Sequence, residues 1–82
     1  MMQKIRQDCG LGQNIRRMRL NARMTQEEVA AQLQLAGCDT SRSVYAQIEC
    51  GAYNIRVSEL IVLRRLFDVD YNAFFEGLED EL

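Results

Sequence analysis

Two capped helix starts, close together in the chain, constrain the fold more than any other feature. In Thr25-Gln26-Glu27-Glu28-Val29-Ala30, Thr25 is a good N-cap and Glu28, three residues on, completes a capping box. Glu27 and Glu28 also suit the positive end of the helix dipole. The inward face of this helix reads Val29, Ala30, Leu33 and Ala36, and Gly37 supplies the left-handed residue that stops it. The second start is Ser41, ahead of Arg42-Ser43-Val44-Tyr45-Ala46-Gln47-Ile48-Glu49-Cys50, with Gly51 as the stop. Here only Tyr45 and Ile48 form a clear inward pair, with Val44 beside them. So short a helix is not stable alone in water. Neighbours must hold it, which leaves Arg42, Ser43 and Gln47 free for a partner.

Around this pair the periodicity predicts three further helices. Leu11, Ile15, Met18 and Ala22 recur in steps of four, three and four, with Arg16, Arg17 and Arg23 on other faces. A fourth helix begins near Val57 or Ser58 and ends near Phe67. Its core face is Leu60, Leu63 and Phe67, while Ile61, Val62 and Leu66 make it apolar nearly all round. Asp70 is the expected cap of a short fifth helix carrying Phe74, Phe75 and Leu78. Residues 1–10 read as a flexible N-terminal arm, Cys38-Asp39-Thr40 as a turn, Ala52-Tyr53-Asn54-Ile55 as a loop and residues 79–82 as an acidic tail. No β pattern is visible. The expected fold is all-α: a compact five-helix domain over residues 11–78.

Composition narrows the function. Eighty-two residues, 48% hydrophobic and 27% charged, are expected to form one globular domain with a small core and no room for a separate ligand domain. The longest apolar run, Leu60–Leu63, is too short for a membrane span, and the N-terminus lacks the apolar core of a signal peptide, so a cytoplasmic protein is expected. Cys9, Cys38 and Cys50 have no C-x-x-C spacing and there is no His, so no metal and no cofactor are expected, only three reduced thiols. Without His or an activated nucleophile there is no catalytic constellation and no small-molecule substrate is implied. The net charge of −2 hides an asymmetry. Residues 1–25 carry Lys4, Arg6, Arg16, Arg17, Arg19 and Arg23 against Asp8 alone, and the acidic groups gather after residue 56. A polyanion would meet the front half.

A capped helix, a turn, then a short polar-faced helix is the order of a helix-turn-helix, with Ala30 small where the two helices approach and Gly37 opening the turn. Ile15-Arg16-Arg17-Met18-Arg19 followed by Met24-Thr25-Gln26-Glu27-Glu28-Val29-Ala30 resembles the first half of the phage-repressor and Cro-like helix-turn-helix domains, the XRE family. Ser41 to Gly51, with its Ile-Glu-x-Gly ending, resembles that family's recognition helix, and Leu60, Ile61, Leu63, Phe67 and Val69 resemble its fourth helix and the turn after it. The resemblance covers residues 11–78. One departure is clear: seven residues separate Leu33 from Ser41, more than the family usually has, which lengthens helix 2 by roughly a turn.

The resemblance implies a five-helix transcriptional regulator that binds double-stranded DNA as a homodimer on a two-fold operator. It implies base contacts from Arg42, Ser43 and Gln47, for which Arg to guanine and Gln to adenine are the favoured geometries. It implies a phosphate contact at Gln26, with Arg17 and Asn54 as further phosphate candidates, and an interhelical ion pair between Arg19 and Glu49. Val62 and Leu66, one helical turn apart outside the core face, form a candidate dimer stripe that Phe75 would extend. The alternative is the same scaffold docking a protein through helices 3 and 4, which the acidic C-terminal half favours. Cys50, Tyr53 and the three thiols together have no assigned role.

Overall fold

The computed structural model describes residues 4–5 and 9–82. In chain order the elements are β1 (Lys4–Ile5), α1 (Leu11–Asn21), α2 (Gln26–Leu35), α3 (Arg42–Cys50), β2 (Ile55–Arg56), α4 (Val57–Phe67) and α5 (Tyr71–Phe74), followed by a 3-10 turn at Glu79–Glu81. The five expected helices are present. No helix among the described residues is long and apolar enough to cross a membrane.

The caps form as the residues dictate. Glu28 N–H donates to Thr25 Oγ1 (3.1 Å) and Thr25 N–H donates to Glu28 Oε1 (2.8 Å), a reciprocal capping box. Val44 N–H donates to Ser41 Oγ at 3.1 Å. Asp70 holds the N-cap position of α5 but makes no capping hydrogen bond. After α2, Gly37 at φ +92° lets Cys38 N–H reach Leu33 O (2.9 Å) while its own N–H reaches Gln34 O (3.0 Å). Gly51, at φ +78°, closes α3 in the same way. The chain repeats this stop after α1 and α4 with Arg23 (φ 59°) and Asp68 (φ 53°), residues that meet a steric penalty there that glycine does not.

The core takes Leu11, Ile15 and Met18 from α1, Val29, Ala30 and Leu33 from α2, Tyr45 and Ile48 from α3, Leu60, Leu63 and Phe67 from α4, and Phe74 from α5. Ile15, Val29, Leu33, Ile48, Leu63 and Phe74 are fully enclosed. Each such side chain contributes about 1.5–3 kcal/mol relative to exposure. Ala22 and Ala36, expected on the inward faces, are exposed. Each is the C-cap of its helix, so the chain leaves the core face just before it.

Two expectations for the irregular segments are corrected. Lys4–Ile5 of the expected arm is not irregular: it pairs antiparallel with β2, Lys4 opposite Arg56 and Ile5 opposite Ile55. The remaining residues of that arm before Cys9 lie outside the described ones. Ile55, read as the end of a loop, is fully buried and belongs to the core. A strand of two residues shows no alternation to read, so only its long-range partner defines it.

Candidate nucleic-acid interface

The inward face of α3 is Tyr45, Ile48 and Glu49. At ~100° per residue, Ser43, Gln47 and Cys50 fall on the opposite face with Ala46 beside them, while Arg42, nearly in line with Glu49, stands at the edge between the two faces. Arg42, Ser43, Gln47 and Cys50 are exposed and Ala46 is half-buried. The first two stand at the N-terminal end of the helix and Gln47 more than a turn further on. Ala46 is unassigned from the sequence; Cys50, expected to pack, is instead exposed on this face.

Glu49 anchors the helix from behind. It is buried (5% exposed) and faces Arg19, also buried (8%). Arg19 Nε donates to Glu49 Oε2 at 2.6 Å and Nη2 to Oε1 at 3.1 Å, a two-pronged charge-assisted pair. Arg19 Nη1 also donates to Met24 O at 2.9 Å, bracing the connection from α1 to α2. Gln26 Nε2 donates to Glu49 Oε1 at 3.1 Å. Three helices therefore converge on one carboxylate. Burial pulls the Glu49 carboxyl upward, but the hydrogen bonds from Arg19 and Gln26 and the nearby positive charge outweigh it and leave the group below the usual carboxylate range. The same bond raises Arg19 above its ordinary value. Burial pushes the Tyr45 phenol far above its ordinary range, so it stays neutral.

A close helix contact completes the support. A Cβ on Gly12 of α1 would lie 2.4 Å from Ile48 O and 2.5 Å from Glu49 O, so the backbones of α1 and the last turn of α3 touch. Only glycine fits there.

An open groove of about 680 Å³ runs beside the start of α2. Arg19, Leu20, Arg23, Met24, Thr25, Gln26, Glu27 and Arg42 line it. Gln26 and Arg42 thus meet at one surface, and Arg23, unassigned from the sequence, joins them. Ser43 and Gln47 do not line it and stand exposed further along α3. Arg17 lies in a neighbouring groove with Gln13, Arg16 and Leu20, and its Nη2 donates to Asn14 Oδ1 at 2.7 Å. Asn54 is exposed in the loop between α3 and β2. Gln26 keeps one amide hydrogen after bonding Glu49, because its amide nitrogen carries two. Val62 and Leu66 are half-buried and line a groove of about 400 Å³ with Gln32, Leu35, Ala36 and Arg65. Leu35 is 80% exposed there. Phe75 is 44% exposed but does not line this groove.

Two capped helices joined by a turn, the second polar-faced and held from behind by a buried ion pair, form a helix-turn-helix. A helix-turn-helix family model matches residues 15–74, and the chain belongs to that family, of the XRE type; it is a DNA-binding transcription regulator. The fold is similar to the crystal structure of the restriction-modification controller protein C.AhdI from Aeromonas hydrophila, with 26% sequence identity and a TM-score of 0.67 over 80% of this chain and 92% of that one. No curated protein sequence matches the chain.

Proposed function

We propose that this regulator acts as a homodimer that occupies a two-fold operator, with α3 in the major groove. The observation that carries this reading is the pairing of a pinned inner face with a free outer one. Glu49 is held by Arg19 and Gln26, while Arg42, Ser43 and Gln47 stand exposed. Arg42 and Ser43 would meet bases first, with Gln47 reaching a later pair. The half-buried Ala46 between them leaves room for close approach.

Gln26 would contact phosphate through its second amide hydrogen and through the open backbone N–H groups at the start of α2. Arg23 and Arg42 line that groove and outnumber Glu27 there. Arg17 and Asn54 are proposed for phosphates further out. Two recognition helices about 34 Å apart would put both half-sites on one face of the duplex.

The proposed dimer surface is the groove of Val62 and Leu66, with Leu35 added from α2. Phe75 would contribute only at the edge. Changing Val62 and Leu66 to polar residues is expected to yield a folded monomer, read by sedimentation; a double variant that remains dimeric refutes the assignment. The neighbour's role as a controller protein supports regulation by occupancy of a control site.

Selection of bound sequences from a random DNA pool tests the whole reading. Recovery of a palindrome, with selection lost in Arg42→Ala, is the expected result. The second reading, a protein-docking module, is favoured by the exposed Leu35 and the net charge of −2. It takes first place if no sequence is selected and binding to DNA is insensitive to salt.

A further inference from the structure

We infer that Thr40 and Glu59 are positioning residues for the N-terminal end of α3, fixing the angle at which Arg42 and Ser43 are presented. The inference rests on the reading of α3 as the DNA-contacting helix. The connection from α2 to α3 is long, so the turn alone does not set the angle. Thr40, fully buried, immediately precedes Ser41, the N-cap of α3. Its hydroxyl donates to Glu59 Oε2 at 2.5 Å, and Arg56 Nη2 donates to both the Thr40 hydroxyl and Glu59 Oε2 at 3.2 Å. Arg56 N–H donates to Glu59 Oε1 at 2.8 Å. Gln34 Nε2 holds the other side of the same residue, donating to Thr40 O at 2.9 Å.

Glu59 is fully enclosed at the first turn of α4. An enclosed carboxylate is tolerated only when paired, and here its partners are Arg56 of β2 and Thr40, the residue before the α3 N-cap. The C-terminal part of α3 has its own anchor in Arg19–Glu49. Thr40–Glu59 is the matching anchor at the other end. A rigid helix held at one end swings at the other, so loss of this contact displaces Arg42 and Ser43 more than Gln47.

The test uses the full chain, its selected operator and a random duplex in fluorescence anisotropy at one salt concentration. Thr40→Val keeps the shape and removes the hydroxyl; Thr40→Ser keeps the hydroxyl. For Thr40→Val we expect operator binding to weaken about tenfold, the size of one displaced base contact, with random-duplex binding unchanged. Base preference should flatten at the positions read by Arg42 and Ser43 and persist at that of Gln47. Thr40→Ser should bind as wild type does. Wild-type affinity and preference in folded Thr40→Val, or equal damage in Thr40→Ser, overturns the inference. If Thr40→Val does not fold, Glu59→Gln is read by the same criteria; if both unfold, the contact serves stability alone and the inference is overturned. An operator lost by Arg42→Ala but retained by Thr40→Val sinks only this inference. A wild-type chain that selects no sequence sinks the underlying reading and this one with it.

Discussion

Replacing Gly12 by alanine should destabilise the protein, although alanine is the better helix former. In a helix interior alanine is favoured over glycine by about 1 kcal/mol, an upper limit for Gly12, the second residue of α1. Against this, the new Cβ would sit 2.4 Å from Ile48 O and 2.5 Å from Glu49 O, about 1 Å inside ordinary carbon–oxygen contact. Both obstacles are backbone atoms in the last turn of α3, a turn held by the Gly51 stop and by Arg19 on Glu49. No side-chain rotation relieves the overlap, so α1 and α3 must separate. Overpacking of this kind costs about 1–3 kcal/mol and occasionally more, and a backbone clash belongs at the upper end. The net expectation is a loss of about 2 kcal/mol. For a domain of this size that lowers Tm by about 10 °C. Urea unfolding followed by far-UV circular dichroism measures it, and the midpoint should fall without a change in slope. Gly37→Ala is the control, since a Cβ there meets nothing within 4 Å and the cost is only the positive φ of +92°. A Gly12→Ala variant as stable as wild type, or more stable, would refute the close approach of α1 and α3.

Three further outcomes follow from the same structure. Arg19→Ala leaves Glu49 buried and unpaired, so a loss of about 3–5 kcal/mol is expected in chemical denaturation; a loss below 1 kcal/mol would mean the pair is effectively solvated. Glu49 titrates below its unfolded value of about 4.3, so its contribution is complete above that pH and disappears as pH falls through the folded value. Glu49→Gln should therefore flatten the decline of stability below about pH 4, and an unchanged acid limb would contradict the assignment. Asp68→Gly should raise stability by about 1 kcal/mol by relieving the left-handed φ of 53°; unfolding midpoints that fall instead would show that the Asp68 side chain contributes more than the strain costs.

Much of this protein is legible from short stretches of its sequence. The boundaries of α2 and α3 follow from Thr25, Glu28, Gly37, Ser41 and Gly51, because a cap is decided within about one turn of helix. The core faces of α1 and α4 follow from helical spacing. The Arg19–Glu49 contact followed from the family resemblance and not from spacing, since the two residues belong to different helices. Helix α2 does run to Leu35, as the long connection implied, but how α3 stays anchored after it was not readable.

The sequence by itself determined where helices start and stop and which stripes turn inward, since those signals are local and repeat with the helical period. Only the tertiary structure decided what meets across the molecule. It paired Lys4–Ile5 with Ile55–Arg56, brought Gly12 against α3, and enclosed Asn14, whose Nδ2 donates to Phe74 O (2.8 Å) and Glu76 O (3.0 Å). It also buried Glu59 against Thr40 and turned Phe74 inward while leaving Phe75 at the surface. None of these contacts has a periodic or capping signature. Each joins residues that are distant in the chain, and its existence depends on how whole helices pack rather than on any one segment's preference.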